Sequence, residues 1–187
     1  LRLMCEQGSH GVKIASPAHS AGQSYTLTLP ASAPSADTFL KTDGSGNLSF
    51  ASAGGNTPAF VAHLDSNQSL SNATVTKLTM TSEDFDTDSA FADSKFTVPS
   101  GKAGKYFLVG KARMVNTTGY IMLEFYKNGS NAGIQFRSQS YSTTYESAIV
   151  TAILDLSASD YVELYGMQVS GSANDVTSKL FQGFKLG

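Results

Sequence analysis

From residue 57 to the C-terminus, the chain is a succession of strand-length segments separated by Gly, Asn and Ser, with no stretch patterned for a helix of normal length. Within residues 119–127, Ile121, Leu123 and Phe125 alternate with Tyr, Met and Glu, which is the two-residue period of a strand. Many short antiparallel strands bury one side chain in two when they pack as facing sheets. The pattern therefore predicts an all-β sandwich or jelly roll.

About nine segments of this region are predicted strands. Asn128 and Gly129 separate two of them and predict a tight hairpin turn, because both residue types tolerate the positive φ that such a turn needs. The predicted strands are residues 59–64, 75–80, 95–98, 106–115, 119–127, 133–138, 145–156, 161–169 and 179–186.

Residues 1–56 have a different composition, with only three of the chain's 19 aromatic side chains. One strand is predicted at 24–29, and a hairpin is predicted from 39–42 and 48–50 around the turn at 43–47. A lone hairpin is marginally stable in water, so we expect these strands to pair with copies from neighbouring subunits. The sequence predicts a β-rich, extended stalk over 1–56 and a jelly-roll head over 57–187.

The charge and composition argue against several classes of partner. The net charge is -2, and the 13 basic and 15 acidic residues are scattered, so we expect no nucleic-acid ligand. No apolar run reaches the roughly 18 to 20 residues of a membrane span, so we expect no membrane insertion. Cys5 is the only cysteine, which excludes an intrachain disulfide. The chain starts at Leu1, and we expect more protein upstream.

No catalytic constellation is visible, and we expect neither an enzyme nor a cofactor. There is no Gly-x-Ser-x-Gly nucleophile turn, and no pair of carboxylates is singled out for glycoside hydrolysis. Asp84, Asp86 and Asp88 alternate as calcium ligands can, but Ser89 stands where an EF-hand needs Gly. A calcium loop and a solvated acidic loop both remain open at this point.

The segment 161–167 predicts an outward aromatic stripe. If Val162 and Leu164 enter the core, Tyr161, Tyr165 and Met167 point outward, where an aromatic surface favours contact with another subunit. The alternatives are the ordinary exposure of scattered aromatic side chains and the opposite register, with the tyrosines inward.

Residues 96–107, with Phe96, Pro99, Gly101 and Tyr106, resemble the Phe-x-x-Pro…Gly…Tyr pattern of the complement and tumour necrosis factor jelly-roll superfamily. The segments 127–129, 148–156 and 159–164 follow in the family's order, and 181–186 is similar to its closing Phe-x-Gly-x-x-Leu strand. The resemblance implies a homotrimer. By that resemblance, the residues expected at the threefold axis are Tyr161, Tyr165, Met167 and Phe181.

Residues 25–50 resemble the strand-turn segment that precedes the heads of bacteriophage tail fibres. This second resemblance implies an extracellular location on the virion, with other tail proteins and a bacterial surface polysaccharide or protein as partners. A structural virion protein of the capsid or tail, which contacts only other phage proteins, is the alternative. Aromatic and amide side chains suit sugar ligands, so the loop candidates for receptor binding are Tyr141, Tyr145, Asn131 and Gln139. An ordinary polar connection is the competing interpretation of those four residues.

Overall fold

The computed structural model describes residues 2–4, 10–52, 55–64, 66–115, 118–140 and 144–187. The chain divides into two compact units, Leu1–Gly54 and Gly55–Gly187. The sequence-based boundary was placed after residue 56. Among the described residues, no helix has the length and apolar character required to cross a bilayer.

Over its described residues, the N-terminal unit has two short antiparallel pairs and one turn of 3₁₀ helix. Strands β1 (Arg2–Met4) and β2 (Gly11–Lys13) pair, and the 3₁₀ turn spans His19–Ala21. Strands β3 (Thr38–Thr42) and β4 (Leu48–Ser52) form the predicted hairpin, which is confirmed.

The hairpin turn is held by one carboxylate. Asp43 accepts hydrogen bonds from the Asn47 side-chain amide at 2.7 Å and from the backbone N–H of Ser45 at 2.8 Å. These bonds favour the charged carboxylate, so they lower the pKa of Asp43 below its ordinary value. The turn is therefore specified by local side-chain bonding.

The strand predicted at 24–29 is wrong for the single chain. Among the residues that the structure describes, the segment makes one isolated bridge, between Thr28 and Asn47, and the side chains of Leu27 and Leu29 are exposed. The alternation of residues is that of a strand, but one chain supplies no ladder of hydrogen bonds for it.

The described residues of the C-terminal unit form twelve strands. They are β5 (Ala59–Leu64), β6 (Gln68–Leu70), β7 (Thr76–Lys77), β8 (Ser82–Asp86), β9 (Phe91–Ala92), β10 (Lys95–Thr97), β11 (Gly104–Val115), β12 (Gly119–Lys127), β13 (Ser130–Ser140), β14 (Tyr145–Leu156), β15 (Tyr161–Val169) and β16 (Asn174–Lys185).

These strands form two antiparallel sheets. The first sheet has the order β14-β11-β16-β5-β8, with β6 also beside β16, and the second has the order β13-β12-β15-β10-β9, with β7 also beside β15. Because sequential strands often lie in different sheets, the chain crosses repeatedly between them, as in a jelly roll. The predicted all-β jelly-roll fold is confirmed. Strands β6, β8 and β9 were not predicted, because they are short or polar.

The core lies between the sheets and is rich in phenylalanine. The Phe181 ring is fully buried, at 5.0 Å from Phe60, 5.7 Å from Phe125 and 5.9 Å from Phe91 between centroids. A Cβ atom on Gly183 would lie 2.5 Å from Leu108, so only glycine fits there. The closing Phe-x-Gly pattern thus specifies close packing of β16 onto the core.

The Tyr106 side chain links a core strand to the loop before it. Its hydroxyl donates a 2.6 Å hydrogen bond to the Lys102 carbonyl oxygen. Burial, together with the nearby Asp88 carboxylate, raises the pKa of Tyr106 to about 12. Tyr106, one of the motif residues within 96–107, therefore holds the loop at Lys102 against the core.

The Asn128–Gly129 turn joins β12 to β13, with φ values of 52° and 77° at the two residues. The Asn128 amide donates to Asp160 at 2.7 Å, and its side-chain oxygen accepts from the Tyr161 N–H at 2.9 Å. The Lys127 ammonium lies 2.8 Å from the Asp160 carboxylate. The hairpin turn is thereby tied to the loop that precedes β15.

Candidate self-association face

The outer side of the first sheet carries apolar side chains in cross-strand rows. Along β11, burial alternates, so Tyr106 and Leu108 face the core while Phe107 and Val109 face outward. Phe107 lies opposite Ile153 on β14 and Phe184 on β16. We call the following outward set the apolar face: Val61, Phe85, Phe107, Val109, Ile149, Ile153, Leu180 and Phe184.

This face is partly open to solvent in one protomer, with five of its eight side chains half-buried and three exposed. Phe85, Ile149 and Ile153 are 49%, 50% and 61% exposed. A shallow apolar depression between β5, β11 and β16 is bordered by several of the same side chains, Phe107 and Phe184 among them. Lys111 and Gln182 interrupt the rows, but the grouping of apolar side chains on one outer surface makes this face a candidate for interaction.

The outer side of the second sheet, the tyrosine face, has a different character. Its outward side chains engage one another: Tyr126 and Tyr165 stack at 4.0 Å, and the Lys95 ammonium lies 5.0 Å from the Tyr161 ring centre. The outward set is Tyr120, Met122, Tyr126, Tyr161, Tyr165 and Met167.

Buried charge adds to the internal bonding of the tyrosine face. Glu163 is 8% exposed and accepts from the Lys77 ammonium at 2.6 Å. Burial first, and the Glu163 charge second, raise the pKa of Tyr165. Several groups of this face are therefore engaged within the protomer, Glu163 with Lys77 and Tyr126 with Tyr165.

The structure separates the four side chains expected at a threefold axis. Val162 and Leu164 are buried, and Tyr161, Tyr165 and Met167 are partly exposed on the outer side of β15, as the alternation predicted. Their position on an axis stays a prediction. The placement of Phe181 there is wrong, because its side chain has 0% exposure inside the protomer and offers no surface to a partner.

The four receptor-binding candidates do not form one cluster. Asn131 follows the β12–β13 turn, and its side chain bonds to Glu124 and to the Gly133 N–H. Gln139 is at the other end of β13, roughly 25 Å away at the rise of a strand, and donates to the Gly119 carbonyl oxygen at 2.8 Å. Asn131 therefore does not share a loop with Gln139 and Tyr145. Tyr141 lies outside the described residues.

Tyr145 is the described aromatic side chain among the candidates, and it is exposed. It begins β14, is 50% exposed, and its ring centre lies 4.6 Å from the Arg113 guanidinium carbon. Sequence reasoning missed Arg113, because only the pairing of β11 with β14 brings the two side chains together.

Each of the three alternating aspartates has its own protein partner. Asp84 lies 3.6 Å from His63, and Asp88 lies 3.4 Å from Lys102. Asp86 accepts a 2.7 Å hydrogen bond from the Phe91 N–H. In the described part of the chain, no group of three or more His, Cys, Asp or Glu side chains is arranged to hold a metal ion.

Solved structures share this architecture. The globular domain of zebrafish complement 1qA protein matches with a TM-score of 0.55 and 19% identity, over 70% of this chain and 98% of that one. Murine APRIL matches with a TM-score of 0.50 and 15% identity, over 68% and 99%. Eiger TNF from S. frugiperda has a TM-score of 0.48 and 16% identity, over 70% and 94%.

The C-terminal unit therefore has a jelly-roll fold similar to that of the complement 1qA globular domain and APRIL, as expected from the sequence resemblance. At these identities the likeness concerns the fold alone. No family model and no curated protein matches the sequence.

Proposed function

We propose that this chain is a non-enzymatic attachment protein whose jelly-roll heads assemble as a homotrimer through the apolar face. The observation that carries the proposal is the set of cross-strand rows around Phe107, Phe184 and Ile153, which one protomer leaves partly open to water. Burial of such surface is the main favourable term in subunit association, at about 25 cal/mol per Å².

The assignment of the interface to this face follows from a comparison of the two outer surfaces. The apolar face has hydrophobic side chains in adjacent rows, whereas the tyrosine face stacks and pairs its side chains internally. Obligate interfaces resemble a protein core cut in half, and the apolar face fits that description better.

The setting that we propose is the tail fibre of a bacteriophage, where the head recognises a bacterial surface glycan or protein. Support comes from residues 25–50, which resemble the strand-turn segment before tail-fibre heads, and from the hairpin of β3 and β4. The exposed Tyr25, Leu27 and Leu29 agree with a stalk in which copies cover one another.

Two measurements test the proposal. Light scattering of the purified chain should give three times the 19.7 kDa of one protomer, and a stable monomer at micromolar concentration would contradict the trimer. Labelled protein should coat at least one strain in a panel of bacteria and compete with infection of that strain. A trimer that coats no strain, but binds other tail or capsid proteins, would support the structural virion role instead.

A further inference from the structure

Asn128 and Gly129 are the one Asn-Gly pair in the sequence. Asparagine before glycine is prone to spontaneous deamidation, because glycine has no side chain to shield its backbone nitrogen. The Gly129 nitrogen attacks the Asn128 Cγ atom, the bond from Cγ to the side-chain nitrogen breaks, and ammonia leaves with the Gly129 amide proton. Water then opens the resulting succinimide ring and gives aspartate or isoaspartate. The pair is therefore a candidate site of chemical modification.

The pair occupies a tight turn that is open to water. The φ values are 52° at Asn128 and 77° at Gly129, and both residues are exposed. The turn joins two strands of the second sheet, so it is not part of the apolar face on the first sheet. Water can therefore reach the pair, and any protection has to come from the contacts of the Asn128 side chain.

The Asn128 side chain is held at both ends of its amide group. Its Nδ2 atom donates a 2.7 Å hydrogen bond to the Asp160 carboxylate, and its Oδ1 atom accepts a 2.9 Å hydrogen bond from the Tyr161 N–H. The Asn128 backbone N–H donates to the Tyr161 carbonyl oxygen at 3.0 Å. Three hydrogen bonds therefore tie this residue to the loop before β15.

These bonds oppose the cyclisation. The side chain has to turn toward the Gly129 nitrogen and release its own nitrogen, so both side-chain hydrogen bonds must break. The acceptor is an anion at neutral pH, since hydrogen bonds from Lys127 first and Asn128 second lower the pKa of Asp160 to about 2. Hydrogen bonds to charged acceptors are stronger than neutral ones. The reaction therefore needs a local opening of the turn.

The products of deamidation do not fit the contacts that the asparagine makes. Aspartate at position 128 has no amide proton for Asp160, and two carboxylates would lie within hydrogen-bond distance of each other and repel. Isoaspartate would also lengthen the main chain of a tight turn by one atom. Either product should separate the β12–β13 turn from the loop before β15.

We propose that Asn128 is a deamidation site that Asp160 and the Tyr161 N–H keep unreactive in the folded chain, and that deamidation there releases the turn from the loop before β15. This inference does not depend on the proposed attachment function. It assigns a protective role to contacts that the sequence does not reveal, because residues 128 and 160 are distant in the chain.

The first test compares the folded full chain with the same chain unfolded in guanidinium chloride, both in mildly alkaline buffer. Peptide mass spectrometry measures aspartate and isoaspartate at position 128 over time. The folded chain should react about tenfold more slowly or less, because breaking a hydrogen bond to a charged group corresponds to about that factor. Equal rates in the two states would overturn the proposal.

Matched variants separate the hydrogen bond from general loosening of the turn. Asp160→Ala removes the acceptor and should accelerate the reaction of the folded chain about tenfold. Lys127→Gln removes another partner of Asp160, at 2.8 Å, but keeps the bond to Asn128, so it should react as slowly as the wild type. Equal acceleration in both variants would overturn the proposal. A slower reaction in Asp160→Ala would also overturn it, since the carboxylate would then promote the cyclisation.

The release of the turn has its own test. Asn128→Asp places the deamidated side chain in the turn and should lower the melting temperature by about 2–8 °C. Adding Asp160→Asn restores a donor and an acceptor with their roles exchanged, so the double variant should lose less than the sum of the two single variants. An additive loss, or no loss in Asn128→Asp, would overturn the release of the turn.

Discussion

The rings of Phe107 and Phe184 lie 5.8 Å apart, centroid to centroid, and face outward from adjacent strands of the first sheet. Aromatic pairs stabilise a fold through the large area that they bury, but these two rings remain only half-buried in the single protomer. This pair is the centre of the face that we propose as the trimer contact.

Charge introduced into the apolar face should dissociate the assembly. Phe184→Asp or Ile153→Asp would place a carboxylate in a hydrophobic contact without a partner, and light scattering should then report the mass of one protomer. Ile153 is 61% exposed, so its substitution should leave thermal unfolding of the protomer nearly unchanged.

The matched variant for that experiment is Met167→Asp, which places the same charge on the tyrosine face. It should leave the mass at three protomers. Dissociation by Met167→Asp, with no effect of Ile153→Asp, would move the contact to the tyrosine face.

Phe181 should behave as a core residue. Phe181→Ala removes a fully buried ring that packs against Phe60, Phe91 and Phe125, and should lower the free energy of unfolding by about 3–5 kcal/mol. Denaturant unfolding monitored by circular dichroism measures this change. A loss below about 1 kcal/mol would contradict the core position.

The Asp160 carboxylate should make stability depend on acid pH. Hydrogen bonds from Lys127 and Asn128 lower the pKa of Asp160 from 3.8 to about 2. Because the folded-state pKa is the lower one, this stabilisation is fully present above about pH 4 and is lost as the pH falls toward 2.

The measurement compares wild type with Asp160→Asn between pH 2 and pH 6. The advantage of the wild type in unfolding free energy should be constant above pH 4 and shrink toward pH 2. A difference that does not change with pH would contradict the low pKa, and carboxyl NMR titration of Asp160 checks it directly.

Asp86 should act through its hydrogen bond to the Phe91 N–H rather than through calcium. Asp86→Ala should lower the free energy of unfolding by about 1–2 kcal/mol, with or without added calcium, because a backbone donor loses its acceptor. Calorimetric titration with calcium is the second measurement. A heat of binding in the wild type that disappears in Asp86→Ala would establish a calcium loop.

The pattern of neighbouring residues was sufficient to predict many of the strands and turns of the fold. The alternation along 119–127 and 161–169 placed β12 and β15 at their observed bounds, and Asn128–Gly129 marked the hairpin turn between β12 and β13. The motif residues Tyr106 and Gly183 indicated the jelly roll. In the structure the Tyr106 hydroxyl binds the preceding loop, and Gly183 leaves room for the Leu108 side chain. Strand β8 was missed, since Ser82–Asp86 is mostly polar and pairs only at a sheet edge.

The faces of the strands were harder to predict. Phe181 and Phe184 are three residues apart on β16, so they must lie on opposite sides, but the sequence does not say which side is buried. The strand pattern at 24–29 was visible too, yet one chain provides it with a single bridge to Asn47.

What the sequence determined by itself was the class of architecture, because strand period, turn chemistry and close-packing glycines are properties of neighbouring residues. The tertiary structure decided which outer surface is apolar and that Arg113 lies over Tyr145. Both depend on pairing between strands distant in the chain, where β11 meets β14 and β16, and such pairing is set by the packing of the whole core.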